Sequence, residues 1–339
     1  MRCYVYVPVT QDRKFLIFEL FPETGVLTLR RQVDLNVQPW QLCIDPKQRY
    51  LYQQVRGDGY SGVLSFCIDS QTGDVTQIGE VELEADACYV ATDRSGRFLL
   101  AAYLLSGMVT VHAVGENGAL CAGAVDKQLT ELYSHCIQTD RSNRFAYVPH
   151  VTPTDSIHQF SFDEHTGRLT PGAVPKVATD SGRGPRHLAF HPRLDRLYVN
   201  EEHDSSVGVY AVDPESGGLR WLESLSTLPP GRADDKNSTG SLRVHPQGHT
   251  LYVSNRGHDS IAVFAVDLAT GRLSPLGHAK SDPVPRTLGI APDGRFFFAG
   301  SDTSGRLRTY RVEPGGTLQP LEAYEVGQRV GWVLPVNFD

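Results

Sequence analysis

The chain has 339 residues and a formal net charge of −7, a balance that argues against partners such as nucleic acid or an anionic membrane surface. Hydrophobic residues make up 40% of it, enough for a sizeable core, but no run approaches the roughly 18 to 20 apolar residues of a membrane span. The six cysteines are scattered without C-x-x-C pairs and the first residues lack the apolar run of a signal peptide, so we expect a cytoplasmic protein with no metal site or disulfide framework.

Strand signals follow one another along the whole chain, and no segment has sustained helical periodicity. Three strands are predicted first, at residues 4–7, 14–20 and 27–33. Six longer units follow, and a single strand is predicted at residues 331–336. The polar segment 229–239 is predicted to be a loop over one face. The six units begin near Pro39, Ala87, Ser134, Pro185, Gly240 and Pro285.

The six units are aligned by one turn position, at which Arg recurs. Subtracting the residue numbers of successive positions gives steps of 48, 47, 51, 54 and 46 residues. A unit of about 45 to 50 residues with four short strands cannot bury its own faces, whereas a ring of such units can, which is typical of a β-propeller. The aligned residues are Arg49, Arg97, Arg144, Asp195, His249 and Arg295.

The strands left over at the two termini predict how the ring closes. Three N-terminal strands and one C-terminal strand together make a further blade, and pairing them removes the free sheet edges. The sequence therefore predicts an all-β fold in a single domain, residues 1–339. Its architecture is a seven-bladed β-propeller with four antiparallel strands per blade, in which the last strand of the chain is innermost in the closing blade.

The repeat also predicts which side chains are neighbours. The position nine residues before each turn position opens the innermost strand, and the position six residues after it ends the second strand. Because these strands form an antiparallel hairpin, both positions lie at the same end of the blade, around one mouth of the central channel. The first set is Trp40, Cys88, His135, Arg186, Gly240 and Arg286, and the second is Val55, Tyr103, His150, Glu201, Asn255 and Ser301.

Several polar residues at these positions have the chemistry of an active site. A histidine, a carboxylate and guanidinium groups around one cavity suit hydrolysis or proton transfer on an anionic carbonyl compound. Each residue alone also has a structural explanation, since charged side chains at strand ends often face solvent and channel arginines often bind backbone carbonyls. The coincidence favours a site containing His135, His150, Arg186, Glu201, Asn255, Arg256 and Arg286.

Three segments resemble a known family: GRGPRHLAFHP, LYVNEEHDSSVGVY and LYVSNRGHDSIAVF. They are similar to the seven-bladed lactonase family, which includes the propeller type of 6-phosphogluconolactonase and the fungal 3-carboxy-cis,cis-muconate lactonizing enzyme. The resemblance extends from the first strand to the closing GWVLPVN. It implies a catalytic set of His135, Arg186, Arg256 and Glu201. We further expect His187, Arg243, Asn255, Arg286 and His150 to bind the substrate.

One stretch departs from the family pattern. Ser241 stands where an acidic residue is expected, and Arg243 where a His is expected. Residues two apart in a strand share a face, so the change makes one wall more basic. It favours an anionic lactone with more than one carboxylate over the usual sugar phosphate, provided that Arg243 faces the same cavity.

The expected reaction is hydrolysis of an anionic lactone without metal or other cofactor. His135 is the expected general base toward water, and Arg186 and Arg256 are expected to bind the substrate's anionic group and stabilise the tetrahedral oxyanion. Glu201 is expected to orient His135 or an arginine, or to pass a proton to the leaving alkoxide.

Two other functions fit the same residues. A carboxymuconate cycloisomerase would use His135 to move a proton at carbon, and Arg243 would favour a tricarboxylate. A non-catalytic scaffold is the second alternative, although the three tryptophans and the lack of Trp-Asp pairs are unlike propeller scaffolds. A closed propeller needs no partner to protect its edges, so we expect a monomer or a small homo-oligomer.

Overall fold

The computed structural model describes residues 2–231 and 236–338. Over these ranges the chain forms 28 β-strands and no helix, so no described helix is available to cross a bilayer. The strands form seven sheets of four antiparallel strands, which confirms the predicted seven-bladed β-propeller. Blade 1 spans residues 38–82, blades 2 to 6 each take the next four strands along the chain, and blade 7 joins the last strand, residues 334–338, to the first three, residues 2–34.

The strand bounds follow the repeat along the chain. Strands of the first three blades and of the N-terminus are β1 Arg2–Val9, β2 Lys14–Leu20, β3 Leu27–Asp34, β4 Gln38–Ile44, β5 Tyr50–Gly57, β6 Tyr60–Ile68, β7 Val75–Glu82, β8 Tyr89–Thr92, β9 Phe98–Tyr103, β10 Met108–Ala113, β11 Asp126–Leu129, β12 Gln138–Thr139, β13 Phe145–His150, β14 Ser156–Phe162 and β15 Leu169–Ala178. The remaining strands are β16 Pro185–Phe190, β17 Arg196–Glu201, β18 Ser206–Val212, β19 Leu219–Ser226, β20 Ser238–Val244, β21 Thr250–Arg256, β22 Ser260–Val266, β23 Leu273–Lys280, β24 Pro285–Ile290, β25 Phe296–Ser301, β26 Arg306–Val312, β27 Leu318–Glu325 and β28 Leu334–Phe338.

The ring closes as predicted, with β28 innermost and paired to β1. The closing strand begins at Leu334, three residues later than expected, because Gly331 and Trp332 lie outside the strand and line the channel. The predicted loop 229–239 includes residues 232–235, which lie outside the described residues. Its last two residues belong to β20.

A tyrosine joins neighbouring blades at five of the seven blade contacts. Its side chain lies in the second strand, and its hydroxyl donates to the carbonyl of a glycine in the outer turn of the next blade. Gly217, for example, adopts a φ of 71°, and an added Cβ would meet the Phe145 ring. The five pairs are Tyr6–Gly73, Tyr52–Gly118, Tyr147–Gly217, Tyr198–Gly271 and Tyr252–Gly316, with O–O distances between 2.7 and 3.0 Å.

Register shifts occur near the start of four innermost strands. In blade 4, Pro185 pairs with Glu201 and His187 with Asn200, so Arg186 is the extra residue. Arg286 is the extra residue of blade 6 in the same way. Such β-bulges redirect a side chain and strengthen the local twist, and here they mark the channel mouth at which the innermost strands begin. The shifts lie between Pro39 and Leu42, Pro185 and His187, Thr239 and Leu242, and Pro285 and Thr287.

Candidate active site

The channel end at which the innermost strands begin, called the first mouth here, contains a narrow polar cavity. Six residues were predicted to open the innermost strands, nine positions before the turn positions. Five of them line this cavity, and the backbone carbonyl of the sixth, Gly240, accepts a hydrogen bond from Arg186. This confirms that one mouth gathers these positions. The lining residues are Trp40, Gln41, Cys88, His135, Arg186, His187, Arg286, Thr287, Gly331 and Trp332.

His135 lies deep in this cavity. Its ring centroid is 5.0 Å from that of His187, and its Nδ1 is buried without a hydrogen-bond partner among the described residues. Burial, reinforced by the neighbouring Arg186 charge, holds the pKa of His135 well below its usual range. The same two causes lower the pKa of His187. Both rings are therefore neutral at neutral pH, and His135 has a ring nitrogen that is not used by the fold.

Arg186, only 3% exposed, forms the basic floor of the first mouth. Burial lowers its pKa to about 9, although Glu202 opposes that shift. Its Nε lies 3.5 Å from the Glu202 carboxylate, which also accepts a hydrogen bond from Arg256. Burial alone would raise the pKa of Glu202, but Arg186 and Arg256 together lower it to about 2. Glu202 is therefore an anion that fixes two guanidinium groups, since a group with so low a pKa cannot supply a proton at neutral pH.

Three guanidinium groups surround the Trp40 ring at the rim. Arg56, Arg286 and Arg329 lie 4.4, 5.2 and 5.5 Å from its centroid, distances at which a cation is attracted to an aromatic face. Asp302 lies 3.2 Å from Arg329 and 3.8 Å from Arg286. Five arginines and three carboxylates give the described part of the mouth a formal charge of 5 − 3, or +2, with its histidines neutral. The groups counted are Arg56, Arg186, Arg256, Arg286, Arg329, Asp86, Glu202 and Asp302.

Glu201 does not lie at this mouth, so the structure corrects its expected position. Its carboxylate, 1% exposed, accepts hydrogen bonds from Arg183 at 2.9 Å and Ser224 at 2.7 Å, and it lines a groove on the outside of blade 4. Adjacent residues along a strand point to opposite sides. The position that faces the mouth is the next one, seven residues after the turn position, and four mouth residues occupy it: Arg56, Glu202, Arg256 and Asp302.

Asn255 and His150 are displaced for the same reason. Asn255 is fully buried and bonds to Thr227 between blades, with its Oδ1 accepting at 2.7 Å. His150 donates from Nδ1 to the Val148 carbonyl at 3.0 Å and packs on His158, with ring centroids 4.3 Å apart. Burial, together with His158, lowers the pKa of His150 to about 3. Asn255 therefore joins blades 4 and 5, whereas His150 packs within blade 3, and neither residue lines the first mouth.

Arg243 lies at the opposite end of the channel, which overturns the expectation that it enlarges the basic wall beside His135. It lines a second cavity of about 500 Å³, where the innermost strands end. We call this end the second mouth. Trp332 lines both cavities, and the Arg243 guanidinium lies 4.9 Å from its ring centroid. Ser241 is buried, and its N–H donates to Ser254 at 2.9 Å.

The residues described, 2–231 and 236–338, contain no group of three or more His, Cys, Asp and Glu side chains arranged to hold a metal ion. Metal independence remains a prediction, to be tested by chelation.

Comparison with known proteins identifies the family. The family model described as "Lactonase, 7-bladed beta-propeller" matches residues 6–335. The chain is 33% identical over 341 residues to the 6-phosphogluconolactonase of Pectobacterium carotovorum, covering 100% of both chains. It is 30% identical to that of Yersinia enterocolitica over 98% of each chain.

Solved structures give the same fold. The periplasmic gluconolactonase of Pseudomonas aeruginosa superimposes with a TM-score of 0.90 at 25% identity, over 99% of this chain and 100% of that one. A putative 6-phosphogluconolactonase from Bacteroides fragilis superimposes with a TM-score of 0.89 at 20% identity, over 99% of this chain and 98% of that one.

Proposed function

The chain belongs to the seven-bladed β-propeller lactonase family, and on that premise we propose that it hydrolyses an anionic sugar lactone, 6-phosphogluconolactone first among them, at the first mouth. The observation that carries the proposal is the neutral His135 beside Arg186 inside a mouth whose charged groups sum to +2. A phosphorylated lactone carries the complementary charge, and its ring ester is the bond that the family name indicates.

The arginines of the first mouth differ in exposure, and this difference indicates how the substrate is oriented. The side chain of Arg186 is 4% exposed, whereas those of Arg286 and Arg329 are 29% and 35% exposed. The phosphate, which is the more strongly hydrated group, binds to the rim arginines around Trp40. The lactone carbonyl then points inward to Arg186, where a fixed guanidinium in a water-poor cavity stabilises developing negative charge most strongly.

His135 takes the proton from the attacking water. The water oxygen forms a bond to the carbonyl carbon, and the carbonyl electrons become an oxyanion that Arg186 stabilises. When the ring C–O bond breaks, the imidazolium returns its proton to the leaving alkoxide, so the product is the open-chain hydroxy acid and His135 is neutral again. General base catalysis of this kind contributes about 100- to 10,000-fold.

Substrate binding makes His135 a better base. In the free protein the Arg186 and Arg286 charges contribute to its lowered pKa. A bound phosphate offsets part of that positive field and so raises the pKa toward the operating pH, where general base catalysis is most effective. Glu202 keeps Arg186 and Arg256 in position through its ion pairs, which makes it a positioning residue.

The position of Arg243 bears on the cycloisomerase alternative. A guanidinium of Arg243 beside His135 would have favoured the tricarboxylate substrate of that alternative, but Arg243 lines the second mouth instead. Polar residues scattered over the outer rim would have favoured the scaffold alternative, whereas His135, Arg186 and Arg286 line one cavity. Hydrolysis is the function that this arrangement supports best.

The test is a pH-indicator assay of acid release, corrected for spontaneous hydrolysis, with 6-phosphogluconolactone and the uncharged glucono-1,5-lactone. We expect turnover of the phosphorylated lactone at least tenfold above that of the uncharged one, unchanged by EDTA. Equal rates of hydrolysis of the two lactones would contradict the proposed role of the rim arginines in binding phosphate. No acid release above background would refute the proposal. Loss of activity in EDTA, restored by a divalent metal, would refute the metal-independent mechanism.

A further inference from the structure

The second mouth is a basic cavity that the proposed reaction does not use. Its volume of about 500 Å³ lies in the range of small-molecule sites. Three arginines line it, Arg94, Arg141 and Arg243, and no Asp or Glu is found among the described residues of its wall. Trp332, Leu188 and other apolar side chains form the rest of the surface. A wall of this composition favours a small anion with an apolar or ring-shaped body.

Arg243 is the residue that points to a ligand. Its Nη1 donates to the Leu242 carbonyl at 2.7 Å and to Ser241 at 3.2 Å. Within residues 2–231 and 236–338, Arg243 forms no ion pair, and no Asp or Glu lines the cavity beside it. Each of the first-mouth arginines, by contrast, has a carboxylate partner. Burial lowers the pKa of Arg243, and a half-buried cation of this kind is normally paired.

The other arginines of the second mouth are held by the fold. Arg94 donates to the carbonyls of Thr139 and Asp140, both at 3.2 Å. Arg141 donates to the Pro192 carbonyl at 3.0 Å and pairs with Asp195 at 2.7 Å. These bonds fix two positive groups at the rim. Ser241 is the one side chain among the described residues that accepts a hydrogen bond from the Arg243 guanidinium, which lies farther in.

We propose that the second mouth binds a small phosphate- or carboxylate-bearing molecule, with Arg243 as the main anion-binding group and Arg94 and Arg141 at the rim. The planar guanidinium matches either oxyanion through two parallel N–H···O bonds. This site is separate from the one proposed for hydrolysis, and its test does not depend on catalysis.

Trp332 reports on occupancy because the Arg243 guanidinium lies 4.9 Å from its ring. The chain has three tryptophans, and the other two report elsewhere: Trp40 is in the first mouth, and Trp221 is 53% exposed on the outside of blade 4. Protein labelled with ¹⁵N at the indole nitrogens therefore gives separate NMR signals for the first mouth, for the wall that the two mouths share at Trp332 and for the outside of blade 4, assigned by single Trp→Phe variants.

The experiment titrates this labelled protein with inorganic phosphate, acetate and gluconate at constant ionic strength, with chloride as the reference anion. We expect a saturable shift of the Trp332 signal. Arg243→Gln is expected to weaken the apparent affinity at least tenfold, whereas Arg295→Gln, an exposed arginine outside both mouths, leaves it unchanged. A tighter response to phosphate than to acetate or gluconate assigns the site to phosphate, and the reverse order assigns it to carboxylates.

Two results would overturn the proposal. One is a Trp332 shift that persists in Arg243→Gln and disappears in Arg286→Gln, because the anion then binds only at the first mouth. The other is the same response to chloride as to the oxyanions. Unchanged Trp40 and Trp221 signals show that Arg243→Gln is folded. If it is not, Arg243→Lys keeps the charge without the planar fork, and unweakened oxyanion binding in that variant would also refute the proposed two-bond contact.

Discussion

The two mouths of the channel both contain arginines, but the arginines have different partners. At the first mouth, Arg186 and Arg256 share Glu202, and Arg286 and Arg329 share Asp302. At the second mouth, Arg243 has no carboxylate within ion-pair distance among the described residues. Paired arginines hold a fixed geometry around a reacting group, whereas an unpaired one gains most from an anion that arrives from solution.

Their histidines differ in the same way. His135 at the first mouth has a buried Nδ1 without a partner in the described structure. His191 at the second mouth uses both nitrogens, since Nε2 donates to the Gly248 carbonyl at 3.0 Å and Nδ1 accepts from the Leu194 N–H at 2.9 Å. A histidine can exchange a proton with a ligand only if a nitrogen is available. The comparison therefore supports the proposals of proton transfer at the first mouth and of binding alone at the second.

The largest expected effect on activity is that of His135→Gln, which tests whether His135 transfers the proton at the first mouth. The variant keeps a polar side chain of similar size but has no basic nitrogen, so we expect the rate of lactone hydrolysis to fall about 100- to 10,000-fold. Steady-state kinetics with 6-phosphogluconolactone measure it.

The matched control is His245→Gln. His245 is the counterpart of His191 in the next blade, donating to the Gly294 carbonyl at 3.1 Å and accepting from the Gln247 N–H. We expect His245→Gln to lower the melting temperature and to leave the turnover number within about twofold of the wild-type value. Equal losses of turnover in both variants would contradict the role of His135.

The adjacent glutamates give the next largest effect. Glu202→Gln removes the charge that fixes Arg186 and Arg256, and misplacement of these groups is expected to cost about a hundredfold in kcat/KM. Glu201→Gln breaks an ion pair with Arg183 outside the channel, so it is expected to lower stability while kcat/KM stays near the wild-type value. The opposite ranking of the two variants would return Glu201 to the catalytic set.

These two residues also show where sequence reasoning reaches its limit. The repeat period predicted the blade number, the closure and the set that opens the innermost strands, because those depend on spacing alone. Which neighbour in a strand faces the channel depends on single-residue register. Glu201 and Glu202 lie beside a bulge at Arg186, and one residue of error moves every side chain to the other face. The recurrence of charged residues seven positions after the turn, at Arg56, Glu202, Arg256 and Asp302, was the signal that could have corrected it.

Arg243 illustrates a different limit. Its alternation in β20 predicts that it faces the channel, and its position three residues after Gly240, the first-mouth residue of the same strand, was a signal that it lies deeper along the channel. The sequence does not say which distant residue lies beside it at that depth. Trp332, which lines both cavities, comes from the segment just before the closing strand, far away in sequence. Depth relative to such a long-range neighbour is a tertiary property, and strand periodicity carries no information about it.

A smaller effect is expected on the pH profile. The charge of Arg286 helps to lower the pKa of His135 in the free protein. Arg286→Gln removes that charge, so the pKa rises and the acid limb of kcat/KM, which reports the free enzyme, moves to higher pH. In the wild type, the limb of kcat is expected at higher pH than that of kcat/KM, because bound substrate supplies negative charge. An acid limb that moves to lower pH in the variant would contradict this electrostatic account.

The smallest effect concerns the stability contributed by His191. Burial lowers its pKa, so it stays neutral in the folded chain while an unfolded histidine gains a proton near pH 6.5. Its contribution to the free energy of unfolding is therefore complete above pH 6.5 and decreases as the pH falls below that value toward the lowered folded pKa. Asp140 holds the equivalent turn of blade 3 by accepting N–H groups of Arg144 and Phe145, both at 3.0 Å.

His191→Asp supplies the same kind of acceptor without a group that titrates near pH 6.5. At pH 7.5 the variant is expected to be less stable by about 1 kcal/mol, because the Gly248 carbonyl loses its donor. The difference from the wild type in urea unfolding should then narrow between pH 7.5 and 5, since only the wild type loses the His191 contribution. A difference that stays constant over this range would mean that protonation of His191 is not coupled to unfolding, and that this histidine could exchange a proton in the folded state as His135 is proposed to do.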